Sequence, residues 1–160
     1  MELNRDFSDL LSGFAANSVR FLLVGGYALA FYGRPRATGD IDLWVEPSSK
    51  NARRVFAALA GFGAPLTGIR AEDFAKPGIV FQIGVAPNRI DVLTSVTGLR
   101  FSTAWKRRKR SRYGDVPISL LAPEDFVRNK RKLGRPRDLA DIEDLLGPES
   151  KKKPRKRRTV

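Results

Sequence analysis

The sequence predicts one α+β domain, α/β-like in its local pattern, with a small mixed β-sheet flanked by helices. Three observations carry this reading. The apolar stretch Phe21-Leu22-Leu23-Val24 runs straight into Gly25-Gly26 and then a helix-like segment, Tyr27 to Tyr32. A second strand-like stretch, Asp40-Ile41-Asp42-Leu43-Trp44-Val45, alternates acidic and apolar positions at its start. Two further strand-like runs, Ile79 to Val85 and Arg89 to Thr94, are joined through Pro87-Asn88 as a hairpin would be. At 160 residues the chain suits one domain with a modest core.

Each element can be justified in chain order. Phe7, Leu10, Leu11 and Phe14 recur at helical spacing and predict a first amphipathic helix. The first strand, the glycine turn and a short helix follow, with Gly33 as its stop. Arg34 to Gly39 reads as the loop that delivers Asp40. Ser48 or Ser49 can cap the next helix, whose stripe is Ala52, Val55, Phe56 and Leu59 and whose end is set at Gly61. Residues 62–78, rich in Gly and Pro, read as a long connection with a helical turn at Glu72-Asp73-Phe74. After the hairpin, Val116 to Leu121 is another short strand. Pro123 and Pro136 each suit the first position of a helix, and Glu124 and Asp125 sit where the helix dipole favours acids. The last helix carries the stripe Leu139, Ile142, Leu145 and Leu146 and stops at Gly147-Pro148. The domain is thus set at residues 1–147, and 148–160 as a basic tail whose like charge predicts disorder.

The chemistry lies in the glycines and the acids. Residues two apart in a strand face the same way, so Asp40 and Asp42 share one face while Ile41, Leu43 and Val45 share the other. Adjacent carboxylates repel, and hard divalent cations such as Mg²⁺ or Mn²⁺ relieve that repulsion through oxygen ligands. Two such ions clamp the attacking and leaving oxygens of an in-line phosphoryl displacement. Gly25 and Gly26 let the backbone approach a ligand closely, and the N–H groups opening the following helix attract phosphate. Asp91 supplies a third acid on the otherwise apolar strand Ile90-Asp91-Val92-Leu93. Each feature alone has a bland reading: a tight turn, a solvated strand face, an acid on an edge strand. Together they equip the chain to move a nucleotidyl group.

Gly25-Gly26, Asp40-Ile41-Asp42 and the later Asp91 resemble the DNA polymerase β-type nucleotidyltransferase superfamily. The flanking text, Gly26-Tyr27-Ala28 and Arg36-Ala37-Thr38-Gly39-Asp40, is most similar to its small bacterial branch, which includes abortive-infection and toxin–antitoxin nucleotidyltransferases. The late segment from Lys130 to Asp141 resembles that branch too. The resemblance implies a nucleotidyltransferase fold and Mg²⁺-dependent transfer of NMP from an NTP, ATP among the candidates, to an acceptor hydroxyl, with pyrophosphate leaving. Asp40, Asp42 and Asp91 would bind metal, Asp91 holding the catalytic ion or helping to deprotonate the acceptor. Gly25, Gly26, Arg36, Thr38 and Lys130 would contact the nucleotide. The acceptor stays open between RNA such as tRNA, a partner protein and a small molecule. The chain departs from the pattern at Gly26, where the family often carries Ser, so no hydroxyl is offered there. A rival reading keeps the fold without turnover, as a nucleic-acid-binding module or an antitoxin subunit.

Composition narrows the classes. The chain has no Cys and no His. That excludes disulfides, thiolate zinc sites, imidazole-ligated metals and Ser-His-Asp or Cys-His catalysis. No apolar run approaches the length of a membrane span, and no basic-then-apolar segment opens the chain, so a cytoplasmic protein without a membrane partner is expected.

The net charge of +13 is concentrated. Lys106, Arg107, Arg108, Lys109, Arg110 and Arg112, with the basic residues of 151–158, account for all of it. Such clusters attract polyanions, and RNA held through its phosphates is the partner they suggest. Trp105 and Tyr113 flank the first cluster and offer stacking faces, or else belong to the core edge of a loop. Lys130 falls on the inward stripe of its helix with Phe126 and Leu133. It either reaches across the cleft or snorkels to solvent along its stem. Asp138 and Asp141 read as ordinary helix-face partners of Arg135 and Arg137.

Overall fold

The computed structural model describes the backbone of residues 4–33, 39–85 and 87–158, and side chains as far as residue 147. Arg36 and Thr38 therefore lie outside the described residues. The architecture is α+β, with a six-stranded mixed sheet and six α-helices among the described residues.

The first helix, α1 (Arg5–Ala16), starts where the Asn4 side chain accepts a hydrogen bond from the Phe7 N–H at 3.1 Å. Its stripe of Phe7, Leu10, Leu11 and Phe14 is buried, as the periodicity predicts. Strand β1 (Phe21–Val24) is buried at every position because it lies inside the sheet. Helix α2 begins at the glycines themselves and spans Gly25–Phe31. Strand β2 (Ile41–Val45) runs antiparallel to β1, pairing Val24 with Asp42 and Phe21 with Val45. Helix α3 (Ser49–Phe62) is capped by Ser48. It runs through Gly61 and ends at Gly63 instead, in left-handed geometry at φ 91°. The long connection carries one 3₁₀ turn, Ala71–Ala75, that buries Phe74.

Strands β3 (Val80–Ile83) and β4 (Ile90–Leu93) form the expected antiparallel hairpin. Strand β4 also lies parallel to β2, on the opposite side from β3. Helix α4 (Phe101–Arg107) and strand β5 (Lys109–Tyr113) occupy a segment read only as a basic cluster. Phe101 and Ala104 are the buried residues that anchor α4. Strand β6 (Val116–Leu120) pairs antiparallel with β5 and parallel with β1. The sheet order is β3-β4-β2-β1-β6-β5, so the glycine turn, Asp42 and Asp91 fall at the sheet's middle.

Helix α5 (Pro123–Leu133) has its proline in the first turn, as expected. The last helical stretch, α6 (Pro136–Arg158), breaks at Gly147, whose φ 75° and ψ 175° are not helical. The break falls where Gly-Pro predicts a stop. Beyond it the backbone is again helical to Arg158, where the charge run alone argues for disorder. The expected stripe of α6 is only partly inward: Ile142 is buried, while Leu139 and Leu146 are 50% and 44% exposed. Its buried face is acidic, holding Asp138 and Asp141. Among the described residues, no helix is long and apolar enough to cross a membrane.

Candidate active site

Strand register builds the site. In the parallel pair β2–β4, Asp42 stands directly opposite Asp91. Asp91 is 7% exposed and lies on an interior strand, so the edge-strand reading of this acid does not hold. Burial, the Asp91 charge and a hydrogen bond shared with Asp91 push the Asp42 carboxyl up to about 7. Asp40 adds to the rise, and the Arg89 guanidinium opposes it. Near neutral pH Asp42 therefore holds a proton part of the time and donates it toward Asp91.

Arg89 is the residue the sequence reading missed. Its Nε–H donates to Asp91 Oδ1 at 2.8 Å, and a terminal NH₂ donates to Asp91 Oδ2 at 3.2 Å. The same guanidinium lies 3.4 Å from Asp40 Oδ2, and the Arg89 backbone N–H donates to Asp40 Oδ1 at 3.0 Å. Its signal was available: Arg89 and Asp91 are two apart, so strand geometry puts them on one face. Arg89 is the counter-charge for two of the three acids.

The glycine turn is built against the acids. Gly25 has φ 74°, and a Cβ there would collide with Asp42 Oδ2. Glycine is thus required twice over, by backbone conformation and by the closeness of the carboxylate. Gly39, just before Asp40, is confined by space alone, since a Cβ would collide with the Pro87 carbonyl. The turn between β3 and β4 thereby fixes where Asp40 enters β2. Helix α2 opens at Gly25 without a side-chain cap.

The donor set suits a hard cation. It offers carboxylate oxygens alone, two of which already share a proton that a divalent ion would replace. Among the described residues, no three acids stand in a ready-made metal cage. This does not conflict with the Asp42–Asp91 contact, because Asp40 and Asp91 are turned to Arg89.

Lys130 is brought elsewhere. Its Nζ lies 3.1 Å from Asp141 Oδ2 and 3.5 Å from Asp138 Oδ1, with the side chain 16% exposed. It neither snorkels to solvent nor projects free from α5, because two buried acids of α6 hold it. Arg135 completes this cluster with a bidentate bond to Asp138 at 2.6 and 3.1 Å. That bond, led by its side-chain donors, holds the Asp138 carboxyl down at about 2. The expected Arg135–Asp138 pair is present, whereas Asp141 meets Lys130, and both acids are buried at the α5–α6 junction.

The basic run 106–112 also divides. Arg107 bonds the fully buried Asp125 at 2.6 and 3.1 Å and is structural. Tyr113 is buried, and its hydroxyl accepts the Asn4 N–H at 2.7 Å, so it offers no face to a base. Trp105 stacks on Phe101 with ring centres 5.6 Å apart, and Arg108 lies 3.9 Å from its ring centre. The ring is occupied by its own neighbours. No protein-family model matches the chain, and comparison with curated proteins gives no match either.

Proposed function

We propose that the chain is a Mg²⁺- or Mn²⁺-dependent nucleotidyltransferase with a nucleotidyltransferase fold, transferring NMP from an NTP to an acceptor hydroxyl. One observation carries the reading: a buried Asp91 and a proton-sharing Asp42 face each other across β2 and β4, against Gly25, where a Cβ would collide with Asp42. Structural acids in this chain are matched by guanidinium or ammonium groups, whereas the ionisation of Asp42 is opposed by its surroundings. Such opposition is characteristic of sites that wait for a cation. The resemblance of Gly25-Gly26, Asp40-Ile41-Asp42 and Asp91 to the DNA polymerase β-type superfamily supports the same reading.

Asp40, Asp42 and Asp91 would hold the metal, which when bound supplies charge to offset the developing negative charge on phosphate oxygens. Asp42 would hold the metal as a carboxylate, its proton passing to water. Arg89, whose fork of donors suits phosphate, would then exchange Asp91 and Asp40 for phosphate oxygens. Gly25 and Gly26 let the backbone lie close to the nucleotide. Lys130 joins this group only if it exchanges Asp138 and Asp141 for phosphate oxygens.

The test is incubation with each α-labelled NTP, Mg²⁺ and a cell lysate, following pyrophosphate release and the fate of the label. Release is expected from the wild type and lost in Asp42→Asn and Asp91→Asn at unchanged folding. Label entering RNA, protein or a small molecule identifies the acceptor. Release that persists in Asp42→Asn would exclude the two-metal reading, and no release from the wild type would leave the binding-module alternative.

A further inference from the structure

The other end of β1 carries a second cleft, of about 430 Å³, where the α1–β1 junction meets α4, β5 and β6 and where three arginines join apolar residues such as Val19, Phe21 and Ile118. Arg20, Trp105, Arg108, Arg110, Ser111 and Ser119 contribute to its walls. It is separated from Gly25 and Asp42 by the length of β1, roughly 13 Å at ~3.3 Å per residue. We propose that this cleft binds the phosphodiester backbone of a single-stranded nucleic acid, through Arg108, Arg110 and Arg20.

Arg108 carries the argument. An exposed arginine in a basic run is ordinarily a solvated charge, but Arg108 is held. Its NH1 donates to the Trp105 carbonyl at 2.9 Å, and its guanidinium lies over the Trp105 ring. Phe101 stacks near-parallel to that ring at an interplanar angle of 21°. The fork is therefore oriented before any ligand arrives, so little entropy is lost when it takes one. Arg20 approaches the same ring, at 5.4 Å.

The cleft is electrostatically incomplete. Among the described residues, Arg108 and Arg110 form no ion pair with a carboxylate, and Arg20 has one contact to Glu46 at a long 3.5 Å. Burial and the neighbouring Arg110 and Arg20 charges lower the Arg108 pKa from its ordinary value. Guanidinium groups crowded in this way are stabilised by an anion. Strand register places Ser119 beside Arg110, so a hydroxyl donor accompanies the charge.

A chain of phosphates fits better than one small anion. Arg112, two residues beyond Arg110 on β5 and so on the same face, is exposed and continues the row of charge. With the Trp105 ring already covered, recognition falls on phosphates rather than bases, which predicts salt-dependent binding with little sequence preference.

The inference is independent of nucleotidyl transfer and is tested without it. Binding of a fluorescein-labelled single-stranded RNA oligomer would be followed by anisotropy across salt concentrations, in EDTA and without nucleotide. Arg108→Gln/Arg110→Gln should reduce the log–log salt slope by about 1.4 and weaken binding about 25-fold at 0.1 M salt, at ~0.7 per phosphate contact. Arg70→Gln/Lys76→Gln removes the same charge from the 3₁₀ turn region and should leave both values unchanged. Arg110 is exposed, so Arg110→Gln alone should keep the fold and show about half of the slope change, which keeps the test valid if Arg108→Gln unfolds. Equal losses in the two double variants would mean bulk charge alone and would overturn the proposal. So would an unchanged slope in Arg108→Gln/Arg110→Gln. Displacement of RNA by inorganic phosphate beyond that by chloride at equal ionic strength would assign the cleft to a free anion, also against the proposal.

Discussion

Replacing Asp42 by Asn should stabilise the metal-free protein, and only above a definite pH. In the folded chain the Asp42 carboxyl is raised from 3.8 to about 7, first by burial and then by Asp91 and Asp40. In the unfolded chain it titrates near its ordinary value. Between about pH 4 and pH 7 the native state therefore binds a proton that the unfolded state has released, and stability falls as pH rises. Above about pH 7 the loss is complete. A rise of roughly three pKa units sets a ceiling of ~4 kcal/mol at ~1.4 kcal/mol each. Part of that belongs jointly to Asp91, and Asn still donates to Asp91, so about 2 kcal/mol is expected. For a domain of this size that is a Tm increase of about 4–8 °C at pH 8 in EDTA. Near pH 4 wild type and variant should melt together. With millimolar Mg²⁺ the order should reverse, since only the wild type gains from the ion. Calorimetry from pH 4 to pH 8 reads all of this. An Asp42→Asn protein no more stable than wild type at pH 8, or a gain that does not shrink on acidification, would refute the reasoning.

The remaining expectations concern the turn, the helix junction and the tail. Gly25→Ala should lose about 1–3 kcal/mol in urea unfolding, because its φ is left-handed and its Cβ meets Asp42. Gly26→Ala should keep its stability and weaken NTP binding in titration. Unchanged affinity in Gly26→Ala would make the turn purely structural. Lys130→Met removes the ammonium 3.1 Å from the buried Asp141 carboxylate and should cost about 3 kcal/mol by denaturant unfolding at pH 7. The contribution of Asp138, whose carboxyl titrates near 2 when folded, should persist down to about pH 4 and be lost as pH falls toward 2. Acid unfolding of Asp138→Asn against wild type measures it. Deleting residues 149–160, beyond the break at Gly147, should leave Tm nearly unchanged and lower the salt slope of RNA binding.

Local rules made much of this molecule readable. Period-two alternation placed Asp42 opposite in facing to Ile41 and Leu43, which are buried, although Trp44 on the Asp42 face is buried too. The Phe7–Phe14 stripe, the Ser48 cap and the β3–β4 hairpin were equally local. What was not legible depends on distant partners. A basic run looks solvated, so the sequence hid α4 and β5, which form because Phe101 and Ala104 are buried and β5 pairs with β6. The Arg135–Asp138 pair was legible from its spacing, but Asp138 and Asp141 both look like surface acids until Lys130 of α5 is placed against them. The apolar stripe of α6 was consequently assigned too much of the burial.

The buried acids also separate structure from chemistry. Asp125 is fully buried yet meets Arg107 and Arg128. Asp138 meets Arg135 and Lys130, and Asp141 meets Lys130. Each of these is a charge matched by charge, sufficient reason for its presence in a folded domain. Asp91 has Arg89, but the same guanidinium is shared with Asp40. Among the described residues the Arg89 guanidinium lies against both Asp91 and Asp40, while Asp42 shares a proton. A domain selected for stability alone would gain from Asn at that position, by the arithmetic above. Retaining Asp there makes sense under the proposed function, in which a divalent cation arriving with a nucleotide would bring positive charge to these carboxylates.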